Sequence, residues 1–405
     1  MMDYILDRPS STDEERALRA SLVEQARSLV PLLAANSERT EAERRIPEES
    51  IDAIREAGIF RLMQPRRFGG LQTDFRTKLE VTRELARGCG STAWAVSLMN
   101  GSSYLAGLWP EQAQKDVWGQ NPDNRIAGAL TPAERTEVVD GGFRISGKWA
   151  YSSGCLHAQW GLGGIQILDG AGEVLDQGLV LMPMSDLTIE DTWHVTGMRG
   201  TGSNTLVAED VFVPEHRFLS AVKAVRNEFG TPFLDEVLYR SPFFPATAIV
   251  RAGPHLGLAQ AALDRVVTKA PGKPIIYTRF TDRSEAAVTQ IAVAKAASLV
   301  DTAHLLAYRA AADVDEAAHL GVVPDARARA RVRMDIAASI VNAREAIGML
   351  VSAHGAASFA ESEPLQRIWR DCEVASRHAV GHSEINAQLY GQALLGVSID
   401  VSPLV

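Results

Sequence analysis

The chain contains little cysteine: it has three such residues, Cys89, Cys155 and Cys372, among 405. They are odd in number and far apart, so the sequence predicts neither a disulfide framework nor a Cys-x-x-Cys metal site. Such sparse cysteine use fits a protein of a reducing compartment. We therefore expect a cytoplasmic protein without a metal centre.

The sequence also lacks an excess of positive charge. Its 41 basic and 50 acidic residues give a formal net charge of −9, which disfavours nucleic acid as a partner because phosphate binding needs a basic face. No stretch of about 18 uncharged apolar residues predicts a membrane span. Residues 1–16 lack the basic region and apolar run of a signal peptide. We expect neither nucleic acid nor a membrane as a partner.

Helical periodicity dominates residues 1–125. Ser11 and Glu14 have the spacing of a capping box at the start of a first helix, and Leu18 and Leu22 then recur at helical spacing. Several further segments with this periodicity follow. The first domain is therefore predicted to be helical.

The pattern changes between residues 126 and 235. Short apolar runs rich in Gly, Val, Thr and Ile alternate with turn signals, and Asp-Gly-Gly at 140–142 predicts a hairpin turn. From 236 to 405, long Ala-rich segments predict a bundle of closely packed helices. The chain is thus predicted to contain a helical domain, a β-domain and a helical bundle, in that order.

The segment GKWAYSSG (147–154) places Ser152 and Ser153 at the end of a predicted strand, directly before a glycine. Hydroxyls and backbone amides at a strand end can contact a planar ligand. The alternative is a Ser-Ser turn that satisfies its own backbone. The residues alone leave both interpretations open.

A second segment, GMRGTGS (197–203), combines three glycines with Arg199, Thr201 and Ser203. Glycines allow backbone amides to approach a polar ligand, and an arginine can balance an anion. The alternative is a turn between two strands. The segment does not have the Gly-x-Gly-x-x-Gly pattern that opens a helix in dinucleotide-binding folds, so no such site is predicted.

Near the C-terminus, Asp371, Ala375, His378 and His382 follow one another at spacings of 4, 3 and 4, which predicts one helical face. An unperturbed histidine pKa of about 6.5 suits proton transfer near neutral pH. The alternative is a solvated polar face. A metal pair of His378 and His382 lacks a supporting carboxylate motif.

Five ordered motifs now become informative together: STAW (91–94), PEQAQKDVW (110–118), GKWAYSSGCLHAQW (147–160), GMRGTGS with DVFVP (197–214), and RIWRDCEVASRH (367–378). With EAGIFRLMQPRRFGG near the N-terminus, they resemble the acyl-CoA dehydrogenase superfamily. Within that superfamily they resemble the oxygenase components of two-component flavin monooxygenases, often called group D. The resemblance spans about 320 residues.

This resemblance implies an acyl-CoA dehydrogenase-like α+β fold with an N-terminal helical domain, a central β-barrel and a C-terminal four-helix bundle. It also implies a reduced flavin, FADH2 or FMNH2, supplied by a separate NAD(P)H:flavin reductase. The co-substrate would be O2. A homotetramer is implied as well.

The resemblance further assigns residues to the site. His378 would be the catalytic histidine that takes a proton from the substrate, and Ser152 or Ser153 would contact flavin N5. Other residues implied to contact the flavin are Trp149, Tyr151, Gly154, Arg199, Thr201, Ser203 and Arg251. Residues implied to contact the substrate, besides His378, are Trp94, Ser102 and Ala129.

The sequence departs from both branches of the superfamily. Acyl-CoA dehydrogenases use a carboxylate base at one of two positions, which here are Gly391 and Thr247. A standard acyl-CoA dehydrogenation therefore lacks its base. Many of the oxygenases have a histidine where this chain has Ser102, and an asparagine where it has Gly381, so the substrate is expected to differ.

The resulting hypothesis is a monooxygenase that forms a C4a-hydroperoxyflavin and hydroxylates an aromatic or polyketide-like small molecule. Three alternatives stay open. An N-oxygenase of an amine or amino sugar is separated from it only by a substrate screen. A flavin dehydrogenase or oxidase on a non-CoA substrate would be reduced by substrate alone. A flavin-independent cyclase or scaffold would not retain flavin.

Overall fold

The computed structural model describes residues 12–399, 401 and 402. Its first helix begins with a capping box in which Thr12 accepts the Glu15 N–H (3.1 Å) and Glu15 accepts the Thr12 N–H (2.8 Å). The predicted box partner Ser11 lies outside the described residues. The observed box is thus one residue later than the sequence spacing suggested.

The N-terminal domain is helical, as predicted. Its helices are α1 (Asp13–Ala35), α2 (Ser37–Glu43), α3 (Glu48–Glu56), α4 (Phe75–Gly88), α5 (Gly90–Ala106) and α6 (Glu111–Trp118). Nearly every side chain of α4 and α5 is buried, because α4 packs between α1 and the later bundle and α5 lies against α4. These two helices place the STAW motif in the interior.

The central region consists of two four-stranded sheets. Its strands are β1 (Ile126–Pro132), β2 (Arg135–Val139), β3 (Gly142–Trp149), β4 (Trp160–Leu168), β5 (Val174–Pro183), β6 (Thr188–Glu190), β7 (Thr205–Pro214) and β8 (Phe218–Ser220). The sheet orders are β1-β4-β5-β8 and β2-β3-β7-β6. The predicted hairpin turn joins β2 to β3, with Gly141 at φ +75°, a conformation that favours glycine.

The inner faces of both sheets share one apolar cluster that contains Trp149, Ile165, Val180 and Leu206. The Trp149 indole is fully buried there and donates its N–H to the Gly164 carbonyl (3.1 Å). Two loops leave this core on the side of the helices. They are residues 150–154, after β3, and residues 197–204, before β7.

The remaining helices are α7 (Ala221–Val225), α8 (Phe243–Ile249), α9 (Ala252–Lys269), α10 (Ala287–Leu320), α11 (Ala326–His354), α12 (Pro364–Ala375) and α13 (Ser383–Leu395). Helices α9, α10, α11 and α13 form the C-terminal bundle, with α12 against α9 and α11. By length and composition α10 and α11 could each span a membrane. Here they pack on one another, as bundle helices do.

The predicted helical face through Asp371, Ala375, His378 and His382 is wrong. Helix α12 ends at Ala375, and His378 precedes a short 3-10 turn. The His378 Nδ1 lies 3.2 Å from the Val380 nitrogen, so the side chain folds over that turn, where the helix has already ended. His382 then precedes α13. The two histidines consequently do not share a helix.

Candidate active site

The two loops predicted separately from the sequence meet in the structure. The Ser153 and Ser203 hydroxyls lie 2.7 Å apart, and the Gly154 N–H donates to the Thr201 carbonyl (2.9 Å). Gly154 has a φ of +80°, and a Cβ there would lie 2.3 Å from the Met99 Cε. The positive φ therefore favours a glycine, and the Met99 side chain would have to move to admit a larger residue. The WAYSSG and GMRGTGS segments form one continuous surface against α5.

A chain of hydroxyls crosses this surface with a fixed direction. Thr201 donates to the Met198 carbonyl (2.8 Å), so its oxygen accepts from Ser203 (2.6 Å), which in turn accepts from Ser153. The indole N–H of Trp94 can only donate, and it donates to Ser153 (3.2 Å). Each of the three hydroxyl hydrogens is thus donated in a hydrogen bond. The remaining lone pair of Ser153 can act only as an acceptor.

The two adjacent serines therefore differ in role. The Ser152 side chain is fully buried and donates to the Trp149 carbonyl (2.9 Å), which is the self-satisfied turn considered from the sequence. Ser153 is the serine linked to Trp94 and to the second loop. Tyr151 lies at the surface with φ +64° and contacts the Trp193 ring edge-on at 5.8 Å. Trp149 lies in the β-domain core, where its ring is not accessible to a ligand.

The second loop is fixed to the helices at two points. The Met198 N–H donates to the buried carboxylate of Asp371 (2.5 Å), and Arg199 donates to the carbonyls of Glu41 (3.2 Å) and Val195 (3.1 Å). Arg199 lines a groove together with Arg367, Arg370 and the carboxylates of Glu38, Glu41 and Glu361. Arg199 thus lines a groove that combines three arginines with three glutamates.

A second cluster surrounds the Trp94 indole. The ring centroids of His255 and His378 lie 5.9 and 6.0 Å from that of Trp94. Arg251 donates its Nε–H to the His378 Nε2 (3.3 Å) and an NH1 hydrogen to the Thr247 carbonyl (2.7 Å). Trp94 consequently links the hydroxyl chain to a group of two histidines and one arginine.

The protonation state of His378 follows from these neighbours. The Val380 nitrogen lies 3.2 Å from Nδ1, and the Arg251 Nε lies 3.3 Å from Nε2. A neutral imidazole has one N–H and one lone pair, so it accepts only one of these hydrogen bonds in either tautomer, and a protonated ring would accept neither. Burial, with repulsion from Arg251 and His255, lowers the pKa of His378 to about 2. The ring is neutral at physiological pH in this arrangement.

His255 is a site residue that the sequence reasoning missed. It is fully buried, and its Nδ1–H donates to the Arg251 carbonyl (3.0 Å). This bond leaves Nε2 as an unprotonated acceptor, and that atom has no hydrogen-bond partner among the described residues. Burial lowers the pKa of His255 to about 4. A lone histidine in the apolar segment AGPHLGLAQ was the available signal.

Arg251 carries a buried charge that no carboxylate neutralises within the described part of the chain. Its guanidinium donates to a carbonyl and to a neutral imidazole, and burial lowers its pKa to about 10. A buried cation is ordinarily paired. The arrangement therefore favours an anionic ligand beside Arg251.

The structure does not bring every predicted residue into this cluster. Ser102 is a buried residue of α5, two turns beyond Trp94, and its hydroxyl makes no hydrogen bond among the described residues. Ala129 lies in β1, half-buried against the β-domain core. Neither is hydrogen-bonded to His378 within the described part of the chain, so their substrate roles stay predictions.

Neither of the two positions at which a dehydrogenase would carry its base provides a carboxylate. Thr247 donates its hydroxyl to the Phe244 carbonyl (2.8 Å), and Gly391 lies in α13, where an added Cβ would meet open space. No carboxylate is hydrogen-bonded to His378, His255 or Arg251 in residues 12–399. The site is suited to a histidine base.

Comparisons with known proteins agree with this geometry. Family models described as acyl-CoA dehydrogenase, N-terminal domain and acyl-CoA dehydrogenase, C-terminal domain match residues 12–120 and 249–383. The structure of XiaF from Streptomyces sp. has a TM-score of 0.91 at 36% identity, covering 97% of this chain and 99% of that one. The fold is that of the acyl-CoA dehydrogenase superfamily.

Two curated relatives give the narrower family. The flavin-dependent monooxygenase oxygenase subunit HsaA of Rhodococcus jostii is 36% identical over 377 residues, which covers 92% of this chain and 97% of the relative. The oxygenase component of an FADH2-dependent resorcinol hydroxylase from Rhizobium sp. is 32% identical, with coverage of 93% and 94%. The chain belongs to the oxygenase components of two-component flavin-dependent monooxygenases.

Proposed function

We propose that this protein hydroxylates an aromatic small molecule, using O2 and a reduced flavin, FADH2 or FMNH2. Relatives named as a resorcinol hydroxylase and a p-hydroxyphenylacetate 3-hydroxylase support the substrate class. The XiaF structure, described as a complex with FADH2, supports the cofactor. The observation in this chain that carries the proposal is the acceptor-only hydroxyl of Ser153, connected through Trp94 and His378 to the unneutralised Arg251.

The residues present fit a reduced flavin better than an oxidised one. Reduced flavin carries a hydrogen on N5, which a hydroxyl can only accept, whereas N5 of oxidised flavin needs a donor. Ser153 has a lone pair to offer and no free hydrogen. We therefore assign the N5 contact to Ser153, with Ser152 holding the turn beneath it.

The charge of the reduced flavin also has a candidate partner. Its anionic form would be stabilised by a cation that has no carboxylate of its own, and Arg251 meets this condition. Arg199 is bonded to carbonyls and lines a groove that already contains three glutamates and two further arginines. We therefore assign the charge-balancing role to Arg251.

The bound reduced flavin supplies the electrons and the site of oxygen activation. The protein's part is to orient it through Ser153, to exclude water, and to handle one proton. His378 takes the proton of a substrate hydroxyl at Nε2, which makes the aromatic ring more nucleophilic. For this, Arg251 must leave Nε2. Its withdrawal toward an anion frees the lone pair and removes repulsion that lowers the His378 pKa.

We propose two kinds of protein partner. Relatives named as oxygenase subunits or components support a separate NAD(P)H:flavin reductase. The exposed apolar side chains Val288, Ile291 and Leu305 along α10 favour assembly with further copies of the chain, which we propose to be a homotetramer. The charge balance supports the absence of nucleic acid as a partner.

Hydroxylation is tested by incubating the protein with phenolic substrates, NADH, flavin and an unrelated flavin reductase. The expected result is a product heavier by one oxygen, with label from ¹⁸O2. Substrate-driven flavin reduction under anaerobic conditions, without a reductase, would overturn the proposal in favour of a dehydrogenase or oxidase. An oxygenated amine as the sole product would show that the reaction is N-oxygenation and not hydroxylation of an aromatic ring.

A further inference from the structure

Lys78 of α4 is a buried basic residue that the proposed chemistry does not use. Its side chain is fully buried, and its Nζ donates to the Val250 carbonyl and to the Ser97 hydroxyl, both at 2.5 Å. It has no carboxylate partner within the described part of the chain. Lysine is rarely buried without one. The burial of Lys78 without a carboxylate therefore calls for a structural explanation.

The Val250 carbonyl explains why a donor is needed there. A helical carbonyl normally accepts from the N–H four residues later, and that residue is Pro254, which has none. Val250 lies between α8 and α9, where the chain changes from one helix to the next. Lys78 and Ser97, whose hydroxyl also donates to Val250, replace the missing helical bond.

The hydrogen count at Nζ fits an uncharged amine. Ser97 donates to Val250, so it accepts from Lys78, and Nζ uses two N–H groups in total. A neutral amine has just two, and its lone pair needs no partner. Burial and repulsion from Arg251 lower the pKa of Lys78 well below its usual value. The contact can thus form without a buried counter-ion.

Arg251 directly follows this anchored carbonyl. Its backbone carbonyl receives the Nδ1–H of His255, and its guanidinium reaches His378. We propose that Lys78 is a positioning residue: by holding the Val250 carbonyl that Pro254 leaves without a partner, it fixes Arg251 and His255 against His378. The importance of this for flavin binding rests on the function proposed above for Arg251.

The first experiment follows His378 in flavin-free protein by NMR of ¹⁵N-labelled histidine. In the wild type, the His378 ring stays neutral and does not titrate across the range in which the fold is stable. In K78M, release of Arg251 should shift the Nε2 resonance and allow the ring to titrate. R251M should reproduce this effect. R76M is the matched control, because Arg76 is a buried cation of the same helix already paired with Glu80.

S97A guards against a K78M chain that does not fold: it removes the second donor to Val250 and one acceptor of Lys78, but keeps the bond from Lys78 to the Val250 carbonyl. It should shift the His378 resonance in the same direction by a smaller amount. An unchanged His378 resonance in folded K78M, or in S97A if K78M does not fold, would overturn the positioning role. A shift of equal size in R76M would also overturn it, since any buried cation of α4 would then have the same effect.

Anaerobic titration with reduced FMN separates this inference from the proposed function. K78M and R251M should each weaken reduced-flavin binding about tenfold, with R76M unchanged. If R251M leaves the affinity unchanged while K78M still shifts His378, Lys78 positions Arg251 but Arg251 does not bind the flavin. If R251M weakens binding and K78M does not, with His378 unshifted, the positioning role fails and the proposed function stands.

Discussion

Arg251 donates its Nε–H to the Nε2 of His378 across 3.3 Å, and that nitrogen is the one available for taking a proton from a substrate. The lone pair is on Nε2 in the tautomer that carries its hydrogen on Nδ1. In that tautomer the Arg251 contact holds His378 neutral and occupies the lone pair. A negative ligand that attracts Arg251 would release the base, which couples flavin binding to proton transfer.

The histidine base is tested by replacing His378 with Ala. Hydroxylation should fall about 10²- to 10⁴-fold, because general base catalysis is lost, while reduced-flavin affinity changes little. Product formation and anaerobic flavin titration give the two quantities. H382A is the control, since that side chain is exposed. A hydroxylation rate equal to that of the wild type would remove His378 from the mechanism.

Replacing Ser153 and replacing Ser152 should have different effects on flavin affinity and on stability. S153A removes the acceptor for N5–H, so reduced-flavin affinity should fall about fivefold, corresponding to one hydrogen bond of about 1 kcal/mol, with oxidised-flavin affinity little changed. S152A should lower the free energy of unfolding by about 1 kcal/mol and leave both flavin affinities unchanged. The opposite assignment, with S152A alone weakening reduced-flavin binding, would refute the hydroxyl-chain model.

The order of helices, strands and helices followed directly from periodicity in the sequence, and the 140–142 turn from its glycines. The choice between Ser152 and Ser153 did not. It depends on Trp94 and Ser203, which lie 59 and 50 residues from Ser153, and no local pattern encodes the direction of a hydroxyl chain.

The end of α12 and the burial of Lys78 could not be predicted from the sequence, for different reasons. The spacing of Asp371, Ala375 and His378 is the same in a helix as in a helix followed by a capped turn, so periodicity did not reveal the helix end. Lys78 lies among Arg76 and Glu80 in a segment whose charges suggest a solvated face. Its burial arises only when α4 packs between α1 and α9.

Loop anchoring predicts an effect of Asp371 on flavin binding. D371A leaves the Met198 N–H without an acceptor, which should cost about 1–3 kcal/mol of stability and weaken reduced-flavin binding as the Met198–Ser203 loop relaxes. D371N keeps an oxygen at this position, so its losses of stability and of reduced-flavin affinity should both be smaller. Thermal unfolding measures the stability, and flavin titration measures the affinity. Equal affinities in D371A and the wild type would show that the anchor is dispensable for the site.

Buried histidines predict acid sensitivity. Burial, with repulsion from Arg83, lowers the pKa of His304 from 6.5 to about 4, so the unfolded chain binds the proton more readily. Stability from this residue is complete above about pH 6.5 and is lost as the pH falls toward 4, by up to about 3 kcal/mol. In H304N the free energy of unfolding should fall less steeply over this interval.

Urea unfolding at several pH values measures this slope. The control is H194N, because the His194 side chain is solvent-exposed, and it should keep the wild-type slope. His304 is remote from the flavin loops, in α10, so reduced-flavin affinity should be unaffected in either variant. Identical slopes in H304N and the wild type would contradict a neutral buried His304.

Ser153, Arg251 and His378 should together allow the bound reduced flavin to react with oxygen in a controlled way. Stopped-flow mixing of the anaerobic complex with oxygenated buffer is the decisive measurement. We expect a transient species, spectrally distinct from reduced and oxidised flavin, whose decay accompanies product formation when an aromatic substrate is present. A single-phase return to oxidised flavin at the rate of free flavin, without product, would contradict it.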